Sequence, residues 1–338
     1  MTDLSSRFST TSAINGLVAG RFGGRAVSLI SVPRTGDPTI CLARSLASPI
    51  AKATLGFAFQ LNADDPTCVF IIVFTAPSGV ASFSVVLDVT GTVAIWSGSY
   101  LSGTTQHLAT SAAGVFTPRK WAYCGIQTVF NSTVGSVTVH IDGSAVLALS
   151  PVNTSADATG LLAKLAWQVS AATNTSSVYI DDMYLCDAAG PPPYNGFLGV
   201  CYIQTVYPTA AGGHTGFAPS GGPNWQMVSE HAMDGDATYN ASGAANAEDT
   251  FTGSAGLIAT AAIMAVEPQI AVRNDDAVDL EVATVLIAAN HVAVGATTVP
   301  SSQYGYVSDI YPYNPANTKS WTAQVVSNVQ FGYAIPPT

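Results

Sequence analysis

Apolar and polar residues alternate with a period of two at residues 26–32, 55–60, 69–74, 82–88, 93–97, 121–128 and 134–141. Successive side chains of an extended chain point to opposite faces, so this period predicts β-strands with at least one buried face. Between these runs lie turn formers: Thr35-Gly36-Asp37-Pro38, Asp64-Asp65-Pro66, Ala76-Pro77-Ser78-Gly79 and Thr90-Gly91. Short strands closed by Gly, Pro, Asn and Asp predict an antiparallel sandwich rather than alternating strand and helix units. The strongest hairpin signal is Asp142-Gly143, set between Val137-Thr-Val-His-Ile141 and Val146-Leu-Ala-Leu149.

The pattern breaks at residues 187–196, where Pro191, Pro192 and Pro193 stand together. Proline has no amide to donate to a ladder, so no central strand crosses this point. A domain boundary is placed there, giving domains 1–190 and 191–338, although the strand-like stretch 197–207 could still pack on the first. In the second domain a polar loop, 208–223, precedes strands expected near 257–272, 280–288, 304–311 and 329–335. Trp321, Val325 and Val329 recur at helical spacing after Asn317-Thr318, which predicts one short helix over 318–327.

Composition changes this picture at the surface. The chain has 338 residues, 48% of them apolar and only 9% charged, against about 25% charged in an average soluble domain. That apolar content excludes a disordered chain, and so few ionised groups point to a subunit packed against others, with homo-oligomers expected. The net charge of -10 comes from 21 acids and 11 bases, with Arg119-Lys120 the only adjacent basic pair, so a nucleic-acid partner is not expected. The longest apolar candidate, 257–266, falls short of the roughly 20 residues that span a bilayer, and no membrane partner is expected. Residues 1–12 lack the apolar core of a secretory signal, which predicts assembly in a cytoplasm. Cys41, Cys68, Cys124, Cys186 and Cys201 form no Cys-x-x-Cys pair and are expected mostly as buried thiols, with a Cys186–Cys201 pairing left open.

The order of three pieces carries a resemblance: Trp121-Ala-Tyr-Cys-Gly-Ile-Gln127, then Val137 to Gly143, then Val178-Tyr-Ile-Asp-Asp-Met-Tyr-Leu-Cys-Asp187. Together they resemble the concanavalin A-like lectin/glucanase (LamG-like) sandwich. Further on, Asn195-Gly-Phe-Leu-Gly199, Asn224-Trp225, Asp234-Gly-Asp-Ala-Thr-Tyr239 and Asn314-Pro-Ala316 look like a group of tailed-bacteriophage virion proteins. The resemblance implies an all-β chain: a concanavalin A-like antiparallel jelly roll followed by a smaller β domain with one short helix. It also implies a structural part of a phage particle, located in the virion, with other virion proteins of capsid, neck or tail as partners. A carbohydrate-binding adhesin, using the sandwich to hold a glycan, is the alternative.

Candidate chemistry is sparse. Retaining glycosidases need two carboxylates about 5 to 5.5 Å apart, commonly on a Glu-x-Asp-x-Glu strand. The four glutamates, Glu230, Glu248, Glu267 and Glu281, all lie beyond the lectin-like half, and from this the chain is expected not to be an enzyme. Asp181-Asp182 and Asp234-Gly-Asp236 could begin calcium sites but read better as turn and strand-end structure, one of the first pair bonding an amide and the other facing solvent. His107, His140, His214, His231 and His291 lack zinc spacing, and no Gly-x-Ser-x-Gly elbow occurs. The glycine-rich stretches Gly20–Gly24 and Gly212–Gly216 read as flexible turns. No catalytic, cofactor or metal residue is nominated. For sugar stacking, Trp96, Tyr100 and Tyr123 and the run Tyr304, Tyr306, Tyr311 and Tyr313 are available, with Trp96 and Tyr123 expected in the core.

Overall fold

The computed structural model describes residues 9–10, 14–21, 25–30, 40–102, 105–172, 176–231, 233–253, 262–275 and 278–337. The chain divides into a unit within Arg7–Ile203 and a second unit whose described residues are 204–231, 233–253, 262–275 and 278–337. Among the described residues no helix is long and apolar enough to cross a membrane.

The N-terminal unit is a two-layer antiparallel sandwich. In chain order its strands are Ser9–Thr10 (β1), Ile14–Ala19 (β2), Arg25–Ile30 (β3), Ile40–Ile50 (β4), Lys52–Asn62 (β5), Val69–Thr75 (β6) and Ala81–Asp88 (β7). They continue with Val93–Ser97 (β8), His107–Thr110 (β9), Ala122–Val129 (β10), Gly135–Ile141 (β11), Ser144–Val152 (β12), Leu162–Ser170 (β13) and Ser177–Cys186 (β14). One sheet runs β1-β4-β13-β6-β7-β8-β9, the other β12-β11-β10-β5-β14-β3-β2.

The alternating residues of both sheets interleave between the layers. Phe57 and Phe70 meet edge to face with centroids 6.0 Å apart, and Phe74 stacks on Phe83 at 4.3 Å. Trp167, Phe59 and Leu165 complete this core, each at most 1% exposed. In the first sheet β6 is buried on both faces, because its outward residues belong to a second apolar layer. Ile71, Val73, Val86, Ala43 and Ala166 form that layer, with Trp96, Tyr100 and Leu101 packed against it. The Asp142-Gly143 hairpin forms as expected: φ is 49° and 85° at the two residues, the left-handed pair a two-residue turn requires. The Asp142 carboxylate accepts the Tyr123 amide at 2.8 Å and ties the turn to β10.

After β14 the proline stretch does not leave the sandwich. Phe197 lies on the floor made by the cross-strand pair Gly125 and His140, stacking on the imidazole at 4.6 Å. A Cβ at residue 125 would overlap the Phe197 ring, so the close approach needs glycine there. Two amides of the same segment are held: Leu198 donates to the Tyr184 hydroxyl at 3.0 Å and Ile203 to the Asp182 carboxylate at 2.9 Å.

In the C-terminal unit the strands are Ala210–Thr215 (β15), Ala218–Pro219 (β16), Asn240–Ala241 (β17), Glu248–Thr252 (β18), Gln269–Val272 (β19), Ala283–Ala288 (β20), His291–Val294 (β21), Gly305–Ser308 (β22) and Gln330–Ala334 (β23). Five of them make a sheet, β15-β18-β23-β20-β21, with the two-stranded pairs β16-β17 and β19-β22 beside it. Its core gathers Leu286, Ala288, Trp321 and Val329, with Phe251 also buried.

Three expectations change here. The loop expected over 208–223 contains β15, whose Gly212 passes so close to Thr250 and Gln330 that no side chain fits; the glycines hide a strand rather than mark a flexible turn. The helix expected over 318–327 is confined to Ala323–Val326 (α1). Its cap is Thr322, whose side chain accepts the Val325 amide at 3.3 Å. Thr318 is left-handed (φ 58°) and Trp321 is bridged to Ile263, so the residues before Thr322 are held in a turn. Of the strand expected near 257–272, residues 257–261 lie outside the described residues, and pairing is seen at Gln269–Val272.

Candidate functional site

The β8–β9 hairpin brings together the side chains best suited to bind a ligand on the sandwich. In β8, Val93 and Ile95 point into the core with no exposure. Trp96 has the opposite parity. It sits across from Ser84 on β7 and His107 on β9, on the outer face of the first sheet. This corrects its expected core position: the indole is half-buried, packs on the Ile71/Val73 layer, and meets Tyr100 and His107 edge-on at 5.2 and 4.9 Å. The Ser84 hydroxyl fixes the following turn, donating to the Gly98 carbonyl at 2.6 Å and accepting the Tyr100 amide at 3.1 Å. The His107 Nε2 lies 2.5 Å from the Thr110 hydroxyl, which holds the exposed imidazole beside the indole.

The same hairpin also lines a groove of about 410 Å³. Ser97, Gly98 and Gln106 come from β8 and the turn after it, and Asn153 and Ser155 from the end of β12. The hairpin therefore presents aromatic rings on one face and hydroxyl and amide groups at the edge.

The other nominated residues are dispersed. Tyr123 is fully buried, as expected, and its hydroxyl donates to the Asp182 carbonyl at 3.1 Å. At Asp181-Asp182 the strand breaks: the register shifts before Tyr184 and Asp182 takes φ 50°. Neither carboxylate is left to solvent alone. Asp181 accepts the amides of Arg21 (3.0 Å) and Asp182 (2.9 Å), while Asp182 is 3% exposed and accepts Ile203. Burial, reinforced by Asp181, pushes the Asp182 carboxyl up to about 6, against the opposing pull of the Ile203 amide and of Arg21 at 3.7 Å.

His140 lies under Phe197, His214 is 3.8 Å from Glu248, His231 stacks on Tyr207 at 4.1 Å, and His291 opens β21. Among the described residues no three His, Cys, Asp or Glu side chains gather in a way that could hold a metal ion. Asp234 caps its own turn by accepting the Thr238 hydroxyl at 2.8 Å, and Asp236 pairs with Arg273 at 3.2 Å. Tyr311 packs in the C-terminal core, and Tyr304 lines a cavity in that unit. Cys68 and Cys124 are buried, Cys186 and Cys201 half-buried, and all four are free thiols; burial raises each, Cys186 and Cys201 to about 11.

No family model and no curated protein sequence matches the chain. Similar solved structures include an endo-β-1,4-glucuronan lyase from the fungus Trichoderma reesei, 12% identical, covering 53% of this chain and 93% of that one with a TM-score of 0.37. The carbohydrate-binding module CBM66 from Bacillus subtilis is 8% identical, with coverages of 54% and 92% and a TM-score of 0.31. Sheep galectin-11 is 10% identical, with coverages of 45% and 99% and a TM-score of 0.30. The neighbours are sandwiches of the concanavalin A-like and galectin types, and the all-β, jelly-roll architecture expected from the sequence is the one observed. None of these three concerns a bacteriophage particle. The expectation that the chain is not an enzyme is corrected: such sandwiches include polysaccharide lyases, and missing glutamates bear only on two-carboxylate hydrolysis.

Proposed function

We propose that the N-terminal unit is a carbohydrate-binding module and that the β8–β9 hairpin is its sugar-contacting element. The observation that carries this reading is Trp96, partly buried on the outer face of the first sheet and flanked edge-on by Tyr100 and His107. A pyranose offers an apolar C–H face for stacking and a rim of hydroxyls for hydrogen bonds; Trp96 and Tyr100 offer rings on the outer face, and the groove at the edge of the same hairpin, which Trp96 does not line, offers the side chains of Gln106 and Asn153 to a further part of a glycan. The test is a glycan array followed by titration of the best ligand. Trp96→Ala is expected to weaken binding about tenfold or more, the size of a lost aromatic contact of about 1.5 kcal/mol, while Trp96→Phe keeps most of it. An empty array, or a Trp96→Ala variant that binds as tightly as the parent, overturns the reading.

A second reading sets this module on a tailed-bacteriophage particle, assembled in the host cytoplasm and joined to capsid, neck or tail proteins and to copies of itself. It is supported by the sequence resemblance, by the 9% of charged residues, and by edge strand β21, where Val292 and Val294 are 45% and 52% exposed. The two readings meet in an appendage that recognises host glycans. Mass spectrometry of purified virions decides it: the chain at a fixed copy number supports the setting, and its absence from particles overturns it.

A further inference from the structure

The groove of about 410 Å³ beside the β8–β9 hairpin is lined from β9 and β12, each of which ends its sheet. Its walls are braced by side-chain bonds to the backbone. The Ser82 hydroxyl accepts the Ala156 amide at 3.1 Å, the Ser97 hydroxyl accepts the Gln106 amide at 3.0 Å, and the Asn153 carbonyl oxygen accepts the Ser155 amide at 3.0 Å. These bonds tie β7, the hairpin and the segment 153–156 around one opening, so the groove is formed before a ligand arrives.

Every described residue that lines it is uncharged: some are apolar, such as Leu108 and Val152, and the rest carry hydroxyl or amide groups or are glycine. The segments that build it agree, since residues 97–106 and 144–156 contain no Asp, Glu, Lys, Arg or His. His107 is engaged on the outer face, between the Trp96 ring and the Thr110 hydroxyl. The ionised group next to the lining is negative. Asp157 follows Ala156, its Oδ1 lies 3.4 Å from the Ser155 hydroxyl, and hydrogen bonds from Thr159 and Ser78 hold its carboxyl down to about 2.

A ligand carboxylate in this groove gives up water on the wall side, meets no cation there and lies near the Asp157 charge, which makes it costly. Sugar hydroxyls lose little, because Ser, Asn and Gln side chains replace the hydrogen bonds they made to water. Discrimination then comes from what the groove withholds from the wrong ligand. Gln106 is exposed, and its side-chain amide has no hydrogen-bond partner among the described residues.

We propose, on the basis of the sugar-binding reading of the β8–β9 hairpin, that this site selects neutral glycans, built of hexose or N-acetylhexosamine units, against uronate-bearing ones. Gln106 holds the position where a cation would weaken that choice.

The test arrays tetrasaccharides of glucuronate, mannuronate, galacturonate and hyaluronan beside their carboxyl-reduced, neutral counterparts. The intact chain is titrated in 0.5 M NaCl, which screens the field of its net charge of -10 beyond about 4 Å. The neutral member of a pair is expected to bind about tenfold more tightly than its acidic parent, and to be weakened by Trp96→Ala. At 0.15 M NaCl, Gln106→Lys is expected to narrow that gap about threefold. Ser144→Lys adds the same charge at the far end of β12, about 25 Å from Val152 at the rise of a strand, and is expected to leave the gap unchanged. Acidic members that bind as tightly as the neutral ones, and are still weakened by Trp96→Ala, overturn neutral selection and leave the hairpin as a sugar site. Absence of binding in every pair, or binding indifferent to Trp96→Ala, overturns the sugar-binding reading itself and the selection with it. A gap narrowed as much by Ser144→Lys as by Gln106→Lys assigns the selection to the charge of the whole chain and removes the groove from it.

Discussion

At the scale of single residues, Asp182 concentrates several constraints. It adopts a left-handed backbone in the β14 bulge, it is buried, and its carboxylate accepts the Ile203 amide while lying 3.7 Å from Arg21. Because its folded-state value is raised to about 6, the folded chain holds this proton more tightly than the unfolded chain does. Below pH 4 both states carry it. As pH climbs from about 4 to about 6 only the folded state keeps it, so stability falls through that window and stays lower above it. The full loss is about 3 kcal/mol at most, from two pKa units at about 1.4 kcal/mol each. Asp182→Asn, which tolerates the same backbone, is expected to flatten this slope in denaturant melts taken at pH 4, 5, 6 and 7; an unchanged slope would assign it to other groups. The Asp181-Asp182 pair was visible in the sequence, but its burial depended on residues 187–203 folding over it, which no local pattern records. Trp96 is the opposite case. The parity of Val93, Ile95 and Trp96 already set the indole on the other face from the core, and only its apolar neighbours suggested burial.

At the scale of elements, the strands with clean alternation were legible and the glycine-rich ones were not. β7, β8 and β11 begin and end within a residue of where the alternation places them. β15 escaped notice because Gly212 and Gly213 lower strand propensity, and Gly212 is required where Thr250 and Gln330 press against that edge. The proline-marked stretch reads in the sequence as a domain boundary after which residues 197–207 could still pack on the first domain. The ladder ends at Cys186, ahead of Pro191 to Pro193, and Phe197 then returns to the sheet over Gly125. Gly125→Ala is expected to displace that ring at a cost of about 1–3 kcal/mol, the range for overpacking. Hydrogen exchange reads the result: the amides of Leu198 and Ile203 should lose protection while those of β10 and β5 keep theirs. Equal loss across the second sheet would show that the segment is integral to the sandwich rather than a cover on it. Edge strand β21 has its own consequence. With Val292 and Val294 exposed on a strand that ends its sheet, Val294→Lys is expected to lower self-association in sedimentation experiments, since charge on an edge blocks pairing. A parent chain that stays monomeric at high concentration would remove β21 as an assembly edge.

At the scale of the whole molecule, the sequence carried the all-β class through strand periodicity, while the groove beside the β8–β9 hairpin and the cavity of the C-terminal unit emerged only from side chains placed together by long-range pairing. Glu230, Asn240, Arg273 and Tyr304 are spread over more than seventy positions, and nothing in their spacing announces a shared cavity. Each unit also has its own core, one centred on Trp167 and Phe70 and the other on Trp321 and Leu286. Apolar burial stabilises a unit only through the surface removed from water within it. Truncating a core Trp should therefore act on one unit at a time, at about 3–5 kcal/mol for Trp→Ala. Calorimetry of the full chain is expected to show two transitions, with Trp167→Ala lowering one and Trp321→Ala the other. If both substitutions move the same single transition, the two cores unfold as one cooperative structure. In that case a ligand bound at the β8–β9 hairpin would raise the melting temperature of both cores together.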